Sequence, residues 1–254
     1  NPTSATFHTM VKQISVEVAS EGLRGMDVTA DGRRLYAAAP LKGGAAQFSN
    51  QQYPNGHIVV IDIDTTPGNS SLWTTIAEQT VSQEPYFVKA SATDPRTVTF
   101  TNRRSDAQGF NVIHATNDAH TNLTLTSASL LLGSKLDHFD VNDASAIALL
   151  PAGTLGASQT KDYAFVTGWN RIQQDIPSRD PYIAERQTIE EQQSAGLVLG
   201  APVGGNIGVI EDPFGTPKLI AATAGYFLSM PDGLTLSADG ATLYAAFSAD
   251  NGVR

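Results

Sequence analysis

Cysteine is absent from this 254-residue chain. Disulfides and thiolate metal sites are therefore excluded, and a chain without thiols suits an oxidising compartment. Positive charge is scarce: 16 Lys and Arg stand against 25 Asp and Glu, a formal net charge of −9. An acidic surface repels phosphate backbones and anionic lipid, so nucleic acid and an anionic membrane surface are not expected partners. Long apolar runs are also missing. The richest, Ala221 to Met230, is interrupted by Gly225 and Tyr226 and falls short of the roughly 20 residues that span a bilayer, so no membrane insertion is expected. No secretory leader is visible, and the opening Asn1-Pro2-Thr3-Ser4 lacks Met, so the chain reads as processed or excised from something longer.

Two catalytic signatures are missing as well. There is no Gly-x-Ser-x-Gly nucleophile elbow. The Gly-rich stretch Gly200-Ala201-Pro202-Val203-Gly204-Gly205 lacks the lysine of a phosphate-binding loop. Hydrophobic content of 41% is nevertheless that of a globular chain.

What is present is a repeat. Gly25-Met26-Asp27-Val28-Thr29-Ala30-Asp31-Gly32 followed by Arg33-Arg34-Leu35-Tyr36-Ala37-Ala38 returns as Gly233-Leu234-Thr235-Leu236-Ser237-Ala238-Asp239-Gly240 followed by Ala241-Thr242-Leu243-Tyr244-Ala245-Ala246. An alternating strand enters an Asp-Gly turn, where glycine supplies the positive φ, and a second strand carries the chain back. Degenerate copies run from Phe87 to Pro95 with Thr97 to Thr101, and from Ser145 to Leu150 with Tyr163 to Thr167. A third strand is expected at Gly56 to Asp64, Asn111 to Ala115 and Asn206 to Glu211. A fourth is expected at Leu72 to Gln79, Leu123 to Leu131 and Lys218 to Thr223. Hairpin starts lie about 60, about 60 and about 90 residues apart, against roughly 40 to 50 in standard propeller repeats.

Four strands per unit is the blade pattern of a β-propeller. The expected fold is therefore all-β, a β-propeller of four-stranded antiparallel blades, forming either a complete small ring or a fragment of a larger one. Residues 1–254 make one such domain, with an insertion at about 171–204. Thr6 to Ala19, with Val11, Ile14, Val16 and Val18, reads as an outer strand that could complete the last unit. Tyr36 and Tyr244 are expected at equivalent, largely buried positions.

The pattern Ser/Thr-Ala-Asp-Gly, Leu-Tyr-Ala-Ala, then Gly56-His57-Ile58-Val59-Val60-Ile61-Asp62 resembles the YVTN-type β-propeller repeat. The resemblance covers residues 24–64 and 231–254. It implies a propeller akin to surface-layer and secreted bacterial proteins and to lactonase-like enzymes, with an extracellular, periplasmic or cell-surface location. It is nearly silent on activity, because one fold hosts many functions.

Candidate sites are few. Trp169, Asn170 and Arg171 lie where a strand gives way to the insertion, and an aromatic there can stack on a sugar ring or a peptide. Asp137, Asp140, Asn142 and Asp143 offer closely spaced oxygen ligands of the kind calcium takes, without the glycine and distal glutamate of an EF-hand; an Asp-capped turn accounts for them equally well. Asp62 and Asp64 read as the end of a strand at a solvated corner. The five histidines, His8, His57, His114, His120 and His138, show no helical zinc spacing, although His57 and His114 sit at comparable places in two third strands. Asn69-Ser70-Ser71 and Asn122-Leu123-Thr124 match the glycosylation acceptor pattern. Three functions follow in order: a non-catalytic binding module of a larger secreted or surface protein, with a protein or carbohydrate ligand; a structural spacer of a surface array; and a lactonase-like hydrolase with a cation or acidic residues at the channel mouth.

Overall fold

The computed structural model describes residues 9–10, 12–19, 22–40, 55–83, 85–102, 109–126, 144–170, 204–223, 226–227, 231–247 and 252–253. Every regular element among them is a strand. Sheet 1 runs β1 (Met26–Val28), β2 (Arg34–Ala39), β3 (Asn55–Asp62) and β4 (Thr75–Gln83) in chain order. Sheet 2 repeats this order with β5 (Pro85–Ala90), β6 (Thr97–Asn102), β7 (Phe110–Ala115) and β8 (Leu123–Thr126). Sheet 3 contains β9 (Ile147–Leu150), β10 (Tyr163–Asn170), β11 (Gly204–Glu211) and β12 (Lys218–Ala222), and the short β13 (Tyr226–Phe227) also pairs with β11. Sheet 4 contains β14 (Pro231–Leu236), β15 (Leu243–Phe247) and β16 (Gly252–Val253). All pairings are antiparallel. These are propeller blades, as the repeat predicts.

The Asp-Gly turns show why the repeat folds this way. The Thr29 hydroxyl donates to Asp31 Oδ1 at 2.6 Å, that carboxylate accepts the Arg33 N–H at 3.1 Å, and Gly32 sits at φ +71°. In the distant copy the Ser237 hydroxyl donates to Asp239 Oδ1 at 2.6 Å, which accepts the Ala241 N–H at 3.0 Å, and Gly240 sits at φ +70°. In sheet 2 the turn is one residue longer, with the Ser91 N–H closing on Thr97 O at 2.9 Å, and Asp94 accepts both the Arg96 N–H at 3.0 Å and the Thr97 hydroxyl at 2.6 Å.

Sheets stack face to face in chain order. Tyr36, Ala38, Ile58 and Val60 of sheet 1 pack on Val88, Val98, Phe100 and Ile113 of sheet 2. Phe110 and Val112 of sheet 2 pack with Ile147, Ala164, Val166 and Ile210 of sheet 3. Phe165 and Ile207 then meet Leu234, Leu243 and Ala245 of sheet 4. Period-two alternation sends one set of side chains forward and the other backward in each sheet, so both faces of the inner sheets are apolar. Gly25 lets the first two sheets approach closely. Its N–H donates to Tyr86 O at 2.7 Å, and a Cβ there would lie 2.7 Å from Phe87 Cα.

Several expectations need correction. The described part of residues 6–19 contains no strand. Val16, Val18, Ala19 and Leu23 lie instead across Ala37, Ala39 and Val59 on the backward face of sheet 1. The alternation of Val16 and Val18 serves contact with a sheet face and not a ladder. Among the described residues, no extensive contact joins sheet 4 to sheet 1. Strand β3 ends at Asp62 and β4 starts at Thr75, because Asp64, Asn69 and Ser71 build a hydrogen-bonded loop between them. Tyr36 and Tyr244 do hold equivalent registers, opposite Asp27 and Thr235. Tyr36 is 0% exposed, whereas Tyr244 is 46% exposed, because no sheet lies over the forward face of sheet 4 among the described residues.

Candidate functional site

Strands alternate in direction, so the β1–β2 and β3–β4 turns leave from one edge of a sheet and the β2–β3 connection from the other. The hairpin turns of successive sheets gather on a common face. Gly240 approaches Leu150 and Thr154 there, and Ala92 and Thr93 adjoin Leu149, Pro151 and Phe214.

On this face a polar cluster ties sheets 1 and 2 together. Tyr36 Oη and His120 Nδ1 are 2.8 Å apart, and His120 is buried with a backbone φ of +57°. Arg34 Nη1 donates to Asp62 Oδ1 at 3.1 Å, with side chains 10% and 4% exposed. Asp62 also accepts from the Ser71 hydroxyl at 2.6 Å, Asn69 Nδ2 at 3.1 Å and the Asp64 N–H at 2.9 Å. Burial acts to raise the Asp62 carboxyl, but its hydrogen bonds from Ser71, Asp64 and Asn69 and the charge of Arg34 outweigh it and hold the pKa down. Asp62 is thus a buried anchor, not the solvated corner expected from sequence. Burial, and then the charge of Arg34, holds His120 below the ordinary histidine value, while burial pushes the Tyr36 phenol up. Apart from the buried Arg34 Nε, which has no hydrogen-bond partner among the described residues, these groups are committed within the fold.

The other described histidines are similarly committed. His114 Nδ1 is 2.8 Å from Thr97 Oγ1 and His57 Nε2 is 3.2 Å from Thr80 Oγ1. His57 lies near the start of β3 and His114 near the end of β7, so their apparent correspondence was a register coincidence. Asn69 Nδ2 also donates to Asp64 O at 2.8 Å, so the first acceptor motif is woven into the β3–β4 loop, whereas Asn122 is exposed.

The structure separates the sequence-derived candidates. Trp169 and Asn170 close β10 on the face opposite the hairpin turns. Register sets Trp169 opposite Gly205, which in turn stands opposite Tyr226; Asn170 stands opposite Gly204, and Gly204 opposite Phe227. Trp169 and Tyr226 therefore flank Gly205 in one cross-strand row, and Asn170 and Phe227 flank Gly204 in the next. Arg171 and most of the insertion, like Asp137, Asp140, Asn142 and Asp143, lie outside the described residues.

Sequence reasoning missed a cleft of about 680 Å³ along the outer strand of sheet 1, between Lys12–Glu17 and Trp73–Glu78. Trp73 lines it, half-buried, with a backbone φ of +66°. That is a strained conformation for a bulky residue. It is held there by pairing with the end of β3: the Trp73 N–H donates to Asp62 O at 2.8 Å, and the Asp62 N–H donates to Thr74 O at 2.9 Å. Ile14, Ile76 and Ala77 supply apolar surface, and Lys12, Glu17 and Glu78 supply charge of both signs. The only sequence signal was Trp73 itself, following a Gly-Asn-Ser-Ser loop.

No family model matches the chain, and no curated protein matches it. Similar solved structures include hydrazine synthase from Kuenenia stuttgartiensis (17% identity, TM-score 0.46, covering 92% of this chain and 58% of that one). A functionally unknown protein from Desulfotomaculum acetoxidans is 12% identical, with TM-score 0.48 and coverage of 88% and 48%. Saccharomyces cerevisiae Sqt1 is 10% identical, with TM-score 0.36 and coverage of 87% and 67%. The chain thus spans about half the length of the first two structures. At these levels the likenesses decide nothing about function.

Proposed function

We propose that this chain is a non-catalytic binding module of a larger secreted or cell-surface protein, of the YVTN-type propeller kind, and that it takes an extended protein segment in the cleft beside β4. The strained Trp73 carries the reading. A left-handed backbone at a bulky residue is unfavourable by about 1–2 kcal/mol, and such strain concentrates at ligand-contacting positions. The neighbouring outer strand supports it, because an edge strand can pair with an extended peptide while pockets read its side chains. The mixed charge at the rim suits a peptide of either sign.

A display library of extended peptides tests this, with enriched sequences titrated against the Trp169→Phe chain so that Trp73 alone reports by fluorescence. The reading expects a shift of Trp73 emission on binding and at least a tenfold loss of affinity in Trp73→Gly. That variant should also be more stable than Trp73→Ala by about 1 kcal/mol, since glycine relieves the strain. Enriched peptides that bind Trp73→Gly as well as the parent would overturn it.

A carbohydrate ligand is the second reading, favoured by the cross-strand rows that hold Trp169, Tyr226 and Phe227. Loss of glycan binding in Trp169→Ala, with Trp73→Gly unaffected, would move the site there. A calcium titration that raises the melting temperature of the parent but not of Asp140→Asn would support a cation site at Asp137, Asp140, Asn142 and Asp143, and would not by itself favour the hydrolase alternative.

A further inference from the structure

Both glycosylation acceptor motifs fall in the same part of the repeat, the connection from the third strand of a sheet to the fourth. Asn69-Ser70-Ser71 lies between β3 and β4, and Asn122-Leu123-Thr124 lies where the β7–β8 turn enters β8. An acceptor asparagine gives up one of its two amide hydrogens to the sugar, so it needs one to spare and room beside it for a bulky group. The two sites differ on both counts.

At Asn69 both amide hydrogens are used. Its Nδ2 donates to Asp62 Oδ1 at 3.1 Å and to Asp64 O at 2.8 Å. The Ser71 hydroxyl, the other half of the motif, donates to Asp62 Oδ2 at 2.6 Å, and the Ser71 N–H donates to Asn69 Oδ1 at 3.1 Å. Asp62 is itself buried and paired with Arg34. A sugar on Asn69 would take a donor from this carboxylate or from the loop carbonyl and force bulk into the loop. The fold and a glycan at Asn69 therefore exclude each other.

At Asn122 nothing stands in the way. Asn122 and Thr124 are both exposed, while Leu123 and Leu125 turn inward onto the core shared by sheets 1 and 2. Alternation along the strand puts the acceptor amide and the threonine hydroxyl over the same outward face. Among the described residues, neither side chain makes a hydrogen bond. The turn is held without them. The Asn122 carbonyl accepts the Thr116 N–H at 2.9 Å, and the Asn117 carbonyl accepts the His120 N–H at 3.1 Å. The Asn117 side chain donates to the Thr121 hydroxyl at 2.9 Å and accepts the Thr121 N–H at 3.1 Å.

We propose that Asn122 is an N-glycosylation site and that Asn69 is left bare. This rests on the exported location proposed above and not on the cleft. The Asn122 amide nitrogen bonds to the anomeric carbon of an oligosaccharide carried on a polyprenyl diphosphate; the lipid diphosphate leaves and the amide proton is released. The sugar then stands on the turn that carries His120 to Tyr36.

Translation of the chain behind a cleavable secretory leader, into microsomes that hold the oligosaccharide donor, tests this. Folded, protease-resistant chains are separated from sensitive ones. Glycans are then removed enzymatically in heavy-oxygen water, so that each released asparagine is marked in the peptide map. Resistant chains should carry the mark at Asn122 and not at Asn69, with any Asn69 glycan confined to the sensitive fraction. Asn122→Gln and Thr124→Ala should each abolish the gel shift of the resistant chains, and Thr124→Ser should keep it. Thr124→Ala leaves Asn122 in place, so it separates loss of the acceptor from damage to the turn. Asn122 left bare in every fraction overturns the proposal, as do resistant chains marked at Asn69. The leader supplies export, so failure of the site is read apart from failure of the proposed location, which is judged by where the native host places the chain.

Discussion

Sheets 1 and 4 begin with the same fourteen-residue pattern, yet the two copies live in different surroundings. The turns are nearly superposable in their bonding: hydroxyl to aspartate at 2.6 Å in both, with glycine at φ +71° and +70°. The faces are not. Tyr36 is sealed under sheet 2 while Tyr244 meets solvent, and Gly25 is pressed against Phe87 while a Cβ on Gly233 would meet only Ala246 Cβ at an ordinary 3.6 Å. The repeat therefore encodes a sheet with two adhesive faces. Whether a given residue is core depends on whether a neighbouring sheet arrives.

The comparison can be broken in order of expected effect. Tyr36→Ala should destabilise the fold by about 3–5 kcal/mol, the range for emptying a large aromatic site. Tyr244→Ala should change it by no more than about 0.5 kcal/mol, as for a surface position. Urea unfolding of the two variants measures both. Gly25→Ala should be destabilising by about 1–3 kcal/mol through overpacking against the Phe87 backbone, with Gly233→Ala close to the parent. Equal losses at the two glycines would mean that the sheet 1–sheet 2 approach is misdescribed.

His120 gives a pH-dependent contrast, because sheet 4 has no equivalent partner for Tyr244 among the described residues. Its pKa is lowered on folding, by burial first and by Arg34 second. The unfolded chain then binds more protons than the folded one as pH falls below the ordinary histidine value of 6.5. Its contribution is therefore complete above 6.5 and is lost as pH falls through the lowered folded value. His120→Asn, which tolerates the left-handed backbone, should flatten the stability profile in that window. The Asp62 and Asp94 carboxylates, held below 3.8, act in a separate and more acidic window. A thermal-melt series across pH reads out both.

The smallest effect belongs to what the two copies share. Asp31→Ala and Asp239→Ala each remove a hydroxyl partner and a backbone acceptor at a turn. Each should lower the melting temperature slightly, and by similar amounts, because turn chemistry is local.

That locality also explains what was legible in the sequence. Alternation and Asp-Gly turns act over a few residues, so the strands of sheets 1 and 4 and the degenerate hairpins of sheets 2 and 3 could be placed within a few positions. Burial is a property of the stack, and Leu-Tyr-Ala-Ala reads the same at residues 35–38 and 243–246 although only the first has its tyrosine covered. The N-terminal segment misled for a related reason: alternating Ile14, Val16 and Val18 suit a strand or a strap across a sheet face, and nothing local distinguishes them. The cleft was invisible because it joins residues 12–17 to 73–78, and the strain at Trp73 arises from the β3–β4 loop closing on Asp62. The Tyr36–His120 link spans 84 positions, beyond any motif.

Tyrosine nitration followed by peptide mass mapping tests the contrast most directly. Tyr244 should nitrate in the native state. Tyr36, buried and with its phenol pKa pushed up, should stay unmodified until the chain unfolds. Equal nitration of the two, or protection of Tyr244 with Tyr36 modified, would contradict the assignment of covered and open faces.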